Sequence, residues 1–155
     1  FFRSKARDIN ASAVMLVEKY GSRVPDTMEE LLKLPGVGRK TANIILGDIY
    51  RKPAVVTDTH CIRISNRLGL CRTKDPYKVE LALAGIIEPS EQSDSCHRLV
   101  HFGRDVCTAR APKCEQCPLF SLCPQNAYTK KTPPPQKPVK AAGHLPLLRR
   151  RCGMG

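Results

Sequence analysis

LPGVGRKTA, residues 34–42, is the stretch that decides the fold. It separates two segments in which apolar residues recur at helical spacing, and the capping-box pair Thr27 and Glu30 opens the first of them. A connection this short needs positive φ angles or a close backbone approach, which glycine supplies because it has no Cβ. Residues 34–38 therefore predict two helices joined by a tight hairpin.

Most of residues 1–124 shows the same helical periodicity. The one strand-like run, residues 53–56, is too short to build a sheet, so the predicted fold class is all-α. In the helix that Asp58 opens, Ile62, Ser65 and Leu68 are expected to face inward. The six expected helices run from Ser4 to Gly21, from Thr27 through Leu34, through Ala42 to Ile49, from Asp58 to Gly69, onward from Asp75 and Pro76, and from Asp94 to Val106.

The chain has 155 residues and a formal net charge of +12. Seven of its 26 Lys and Arg residues lie after Gln125, where there is no Asp or Glu, so residues 1–124 keep 19 cations against 14 carboxylates. This balance suits a polyanionic partner such as nucleic acid, although many inert proteins also carry it. The basic, proline-containing tail, residues 125–155, is expected to be disordered. The sequence offers neither a signal-peptide pattern nor an apolar run long enough to span a bilayer.

The hairpin turn is a candidate site for DNA phosphate. It leaves the amides of Gly36, Gly38 and the next helical turn pointing outward, and such amides at the positive end of a helix form an anion site. Contacts of this kind hold a phosphate and carry no base information. The alternative is a plain helix connection. The candidate DNA-binding residues of this segment are Gly36, Val37, Gly38, Arg39 and Thr41.

Lys40 and Asp58 stand at the beginnings of two successive helices. A positive helix end disfavours a second positive charge and so favours the neutral amine, which is the form of lysine that acts as a nucleophile. The same environment favours the Asp58 carboxylate, so the two residues could serve as nucleophile and base in an attack on a sugar C1′. The alternatives are that Asp58 is only an N-cap and that Lys40 only contacts a phosphate.

Four of the eight cysteines crowd into 17 residues in the pattern C-x6-C-x2-C-x5-C: Cys107, Cys114, Cys117 and Cys123. A tight quartet without an export signal indicates metal ligation rather than disulfides. Structural zinc sites more often show two close Cys pairs, and four cysteines also suit a [4Fe–4S] cluster, so both metals stay open here. Arg110 and Lys113 lie within this loop and could face DNA, or could simply be solvated.

Taken in order, these motifs resemble those of the endonuclease III family, the iron–sulfur members of the helix-hairpin-helix DNA glycosylases. The resemblance runs from residue 2 to Cys123. Its specific parts are LPGVGRKTAN (residues 34–43), TDTH (57–60), HFGR (101–104) and the cysteine loop.

The resemblance implies a function and a role for each matching residue. Lys40 matches the Schiff-base nucleophile, Asp58 the catalytic carboxylate, and Gly36 and Gly38 the hairpin glycines, while the four loop cysteines match the ligands of a [4Fe–4S] cluster. The implied activity is base-excision repair by a DNA glycosylase and apurinic/apyrimidinic lyase, which removes oxidised pyrimidines from duplex DNA and cuts the strand by β-elimination. Related adenine glycosylases usually carry Ser at the position of Lys40, so that activity ranks lower; a noncatalytic DNA-binding fragment is the rival from another class.

The family begins upstream of Phe1, so this chain is expected to be a fragment that lacks the N-terminal helices. We divide it into a helical region with the hairpin (1–95), an iron–sulfur region (96–124) and the basic tail (125–155), for which we recognise no counterpart. Ala111 stands where relatives often have a basic residue. The expected partner is duplex DNA with damaged bases or abasic sites, bound by a monomer in the cytoplasm or nucleoid, or in the nucleus or mitochondrion of a eukaryote.

Overall fold

The computed structural model describes residues 2–124. This part of the chain is helical and contains no β-strand, which confirms the all-α prediction. The six α-helices are α1 (Phe2–Tyr20), α2 (Met28–Leu31), α3 (Arg39–Ile44), α4 (Thr59–Arg67), α5 (Pro76–Ala84) and α6 (Gln92–Asp105). A π-helical segment, Ile45–Ile49, continues α3, and short 3-10 turns cover Pro89–Glu91, Cys114–Gln116 and Phe120–Leu122.

The expected polar caps open three of the helices. Asp58 accepts a hydrogen bond from the amide of Cys61 at 2.7 Å, and Asp75 accepts one from the amide of Lys78 at 2.8 Å. Thr27 caps α2 more loosely, at 3.4 Å from the amide of Glu30. The capping box at α2 is only half formed, because the Glu30 carboxylate turns away and accepts from the hydroxyl of Tyr20 and the ammonium of Lys33.

An extended segment, residues 54–57, runs through the interior between two apolar clusters. Ala54 belongs to the cluster of α2 and α3, while Val55 and Val56 belong to the cluster of α4, α5 and α6. The side-chain amide of Asn43 donates to the carbonyl oxygen of Val55 at 3.0 Å. Residues 54–56 of the strand-like run read from the sequence are thus part of a buried strap that has no sheet partner within residues 2–124, and the strap leads directly to Asp58.

The buried face of α4 differs from the one expected. Ser65 is buried as predicted, but Ile62 and Leu68 are only half-buried, and the fully buried apolar residues are Cys61 and Ile64. The face is set by the crossing with α6, where Gly103 lies against α4. A methyl group at Gly103 would fall 2.9 Å from the Cδ1 atom of Ile64, so the missing side chain is what lets the two helices approach.

Two expectations about organisation stay predictions. The boundary proposed at residue 95 falls inside α6, and the basic tail, residues 125–155, lies outside the described residues. Within residues 2–124, none of the helices is long and apolar enough to pass through a lipid bilayer.

Candidate functional site

The hairpin turn has the backbone geometry that its glycines predict. Gly36 has a φ of +74°, and the amide of Val37 closes the turn by donating to the carbonyl oxygen of Leu34 at 3.1 Å. Helix α1 braces it, because the hydroxyl of Ser12 donates to the carbonyl oxygen of Pro35 at 2.6 Å. A side chain at position 36 would also collide with Asp8, since a methyl group there would lie 2.7 Å from the Asp8 Cβ.

The start of α3 leaves several amides unused. Gly38 occupies the N-cap position without a side-chain cap, and the first helical bond runs from the amide of Ala42 to the carbonyl oxygen of Gly38 at 3.0 Å. Within residues 2–124 the amides of Arg39, Lys40 and Thr41 have no hydrogen-bond partner. This is the arrangement that accepts a phosphate oxygen.

Lys40 is exposed, and in the part of the chain that is described its ammonium has no hydrogen-bond or ion-pair partner. Asp58 is half-buried and uses its Oδ1 atom as the cap of α4, while its Oδ2 atom has no partner among residues 2–124. The two side chains are not bonded to each other. The geometry therefore leaves one amine and one carboxylate oxygen available for a bound substrate; the catalytic roles stay predictions.

Arg39 turns away from the unused amides and reaches α5. Its Nε and Nη2 atoms each donate to one oxygen of Glu80 at 2.8 Å, and its guanidinium carbon lies 4.5 Å from the centre of the Tyr77 ring. The hydrogen-bonded Glu80 carboxylate raises the pKa of the Arg39 guanidinium. Burial lowers this pKa and Tyr77 adds a smaller increase, so the net direction is upward. The DNA contact expected of Arg39 stays a prediction, and the sequence analysis did not anticipate the contact with Glu80. The signal that could have revealed it is Glu80 itself, a carboxylate beside Val79 on the buried face of α5.

The four cysteines of the loop line one cavity of about 250 Å³ together with Arg67 and the rings of Phe102 and Phe120. Burial raises the pKa of the Cys117 thiol, and the other three thiols raise it further, as expected for sulfur atoms that share one site. Four thiols around one cavity suit an iron–sulfur cluster and also suit a zinc ion, so the cavity alone does not choose the metal.

Arg67 on α4 holds the beginning of the cysteine loop, and the sequence analysis missed it. Its Nη1 atom donates to the Cys107 sulfur at 3.2 Å and to the carbonyl oxygen of Thr108 at 2.7 Å. Hydrogen bonds to ligand sulfur atoms tune iron–sulfur clusters. Arg110 and Lys113 have exposed side chains on the same loop, so their expected role on DNA stays a prediction.

Comparison with known protein families finds two matching regions. The helix-hairpin-helix motif matches residues 19–47, and the iron–sulfur binding domain of endonuclease III matches residues 107–123. Endonuclease III of Thermotoga maritima is 49% identical over 122 residues, which cover 79% of this chain and 57% of that protein. Endonuclease III of Bacillus subtilis is 46% identical over 123 residues, which cover 79% of this chain and 56% of that protein.

Solved structures give the same result. A trapped endonuclease III–DNA covalent intermediate matches with a TM-score of 0.76 and 46% identity over 81% of this chain and 59% of its own. A non-covalent endonuclease III–DNA complex matches with a TM-score of 0.78 and 44% identity over 84% of this chain and 62% of its own. The chain thus spans a little under two thirds of the length of these relatives.

A glycine hairpin between helices, followed by a four-cysteine cavity, defines the iron–sulfur class of helix-hairpin-helix proteins. Within that class, both the sequence identity and the matched iron–sulfur domain point to endonuclease III. The chain belongs to the endonuclease III family, and its cofactor is a [4Fe–4S] cluster. The choice between zinc and iron that the spacing left open is therefore settled in favour of iron.

We expect the Cys117→Ser variant to lose the cluster, because the serine hydroxyl is a harder and weaker ligand for iron than a thiolate. The measurement is the content of iron and acid-labile sulfide, together with the broad visible absorbance of the purified protein. The matched control is Cys71→Ala, which removes a buried thiol outside the cavity and should retain the cluster. A full iron content in Cys117→Ser would exclude Cys117 as a ligand.

Proposed function

We propose that this chain is the hairpin and iron–sulfur part of a DNA glycosylase with apurinic/apyrimidinic lyase activity, which removes oxidised pyrimidines from duplex DNA. The observation that carries the proposal is Lys40, an exposed amine two residues after Gly38 whose ammonium has no partner within residues 2–124. The similarity to a covalent endonuclease III–DNA intermediate supports it, because a covalent bond to DNA requires a nucleophile on the protein.

In the proposed reaction, the Lys40 amine forms a bond to C1′ of the damaged nucleotide as the bond from C1′ to the base breaks, and the electron pair leaves with the base. The amine then loses a proton, for which the unused Oδ2 atom of Asp58 is the acceptor, and opening of the sugar ring gives a Schiff base. Removal of a C2′ proton breaks the C3′–O bond, so the 3′ phosphate leaves and the strand is cut.

DNA is held through its backbone in this proposal. The unused amides that follow Gly38, those of Arg39, Lys40 and Thr41, receive a phosphate oxygen. Arg110 and Lys113 add positive charge from the cysteine loop. The target base leaves the stack before the chemistry, because C1′ of a paired nucleotide is out of reach inside the duplex. Cys107, Cys114, Cys117 and Cys123 hold the [4Fe–4S] cluster, whose role here is to fix the shape of that loop.

The protein acts as a monomer on chromosomal DNA in this proposal, in the cytoplasm and at the nucleoid of a bacterial cell, as suggested by the bacterial relatives. A noncatalytic DNA-binding role is the second candidate. The observation in its favour is that the unused amides at the start of α3 can hold a phosphate without any covalent step. An adenine glycosylase without lyase activity is disfavoured by the lysine at position 40.

Borohydride should trap a covalent complex between this protein and duplex DNA with an abasic site, because it reduces the Schiff base to a stable amine. We expect Lys40→Ala to abolish trapping, as seen on a denaturing gel. Lys33→Ala is the matched control, since Lys33 precedes the hairpin and pairs with Glu30, and it should trap like the parent. Trapping that survives in Lys40→Ala would exclude Lys40 as the nucleophile, and binding without any trapping by the parent would favour the noncatalytic role.

The Asp58→Asn variant separates the two roles of that residue. Asparagine is as good an N-cap as aspartate, so α4 should stay folded, whereas the proton acceptor is lost. We expect the single-turnover rate of strand cleavage at an abasic site to fall by about 10² to 10⁴-fold. Asp75→Asn makes the same change at the N-cap of α5 and should cleave at the parental rate. If Asp58→Asn and Asp75→Asn cleave the strand at the same rate, Asp58 serves only as the N-cap of α4.

A further inference from the structure

An ion pair joins Arg39, the residue before Lys40, to Glu80 on α5. Two parallel hydrogen bonds of 2.8 Å join the guanidinium edge to both carboxylate oxygens, and the Glu80 side chain is only 10% exposed. The ring of Tyr77 lies 4.5 Å from the guanidinium carbon. A bidentate ion pair fixes both the distance and the relative orientation of the guanidinium and the carboxylate, and the Tyr77 ring restricts the guanidinium further.

The ion pair restrains the first turn of α3, where the N-cap residue supplies no side-chain hydrogen bond. Gly38 offers no side-chain cap, and Arg39 is the first residue of the helix. One turn further on, the side-chain amide of Asn43 donates to the Val55 carbonyl oxygen at 3.0 Å. Residues four apart lie on one face of a helix, so these two contacts together fix the rotation of α3 about its axis.

The rotation of α3 decides where Lys40 points. Lys40 directly follows Arg39 and so projects about 100° further around the helix, away from the fastened face. Lys40 and Thr41 are the exposed residues between Arg39 and Asn43, and the Lys40 ammonium has no hydrogen-bond or ion-pair partner within residues 2–124. Loss of the ion pair between Arg39 and Glu80 would let the first turn of α3 rotate about the helix axis. The Lys40 amine would then move away from the sugar carbon that it must reach.

We propose that Arg39 and Glu80 are positioning residues for Lys40, and that Arg39 acts through Glu80 rather than as a ligand of DNA phosphate. This inference rests on the proposed lyase function. The reaction requires the amine and C1′ to meet in a narrow range of distance and direction, and a displacement of about 1 Å can cost on the order of 100-fold in rate. The pair supplies that precision without touching the substrate.

The first test compares rate with affinity. Glu80→Gln removes the carboxylate charge. Arg39→Lys keeps the positive charge but cannot form the bidentate hydrogen bonds. We expect each variant to lower the single-turnover rate of borohydride trapping by roughly 10 to 100-fold while the dissociation constant for the same duplex is unchanged. The double variant should be no slower than either single one, and Glu80→Asp should recover part of the rate. Glu88→Gln, an exposed carboxylate outside the pair, is the matched control and should trap at the parental rate.

The second test does not depend on catalysis. Each phosphate contact contributes about 0.9 to the slope of log K against log salt for duplex DNA. If Arg39 is bound to Glu80 instead, Arg39→Gln should bind undamaged duplex with the parental slope. A slope lowered by about one unit would make Arg39 a phosphate ligand and overturn the inference.

The outcomes separate the two proposals. Parental trapping that is unaffected by Glu80→Gln and Arg39→Lys overturns the positioning role alone. No trapping by the parent overturns the proposed lyase and the positioning role with it. If Glu80→Gln unfolds, the decision passes to Arg39→Lys, which leaves Glu80 with a cation and keeps the fold testable.

Discussion

The strap formed by residues 54–57 is the constraint on which the rest of the structure depends. An extended segment without a sheet partner must still satisfy its buried backbone groups, and here side chains do so. The Asn43 amide bonds the carbonyl oxygen of Val55, and the amide of Val56 donates to the Cys96 sulfur at 3.2 Å. The strap thereby ties α3 to one side and α6 to the other, and it delivers Asp58 to the start of α4.

The crossing of α4 and α6 connects this frame to the cysteine loop. Gly103 permits the close approach, and Arg63 then donates to the carbonyl oxygens of Gly103 at 3.0 Å and Cys107 at 2.8 Å. Arg67, one turn later on α4, reaches the Cys107 sulfur. The helix that begins at Asp58 therefore carries the side chains that hold the first cysteine of the loop, so the proposed catalytic end and the cluster end belong to one packed unit.

Local features of this protein could be predicted from sequence, and long-range ones could not. The caps at Thr27, Asp58 and Asp75 depend on residues three positions apart, and the positive φ of Gly36 depends on the turn itself. The prediction of the inward face of α4 was partly wrong because long-range packing selects it: Ile64 lies against Gly103, about 40 residues away, and Cys61 packs in the apolar cluster that contains Cys96.

At the candidate site, too, a long-range contact of Arg39 could not be predicted from the sequence. Glu80 is 41 residues further along the chain, so the motif around Lys40 gives no sign of the pair. The cysteine spacing likewise predicted four thiols in one place without identifying the metal, and the family comparison was needed for that.

The central claim is that the Lys40 amine is the group that bonds to DNA. The most direct measurement is mass spectrometry of the borohydride-trapped complex after nuclease and trypsin digestion. A modified Lys40 resists trypsin, so we expect the DNA remnant on a peptide that begins at Lys40 and ends at Arg51. A remnant on the N-terminal amine, or on Lys33 or Lys52, would contradict it.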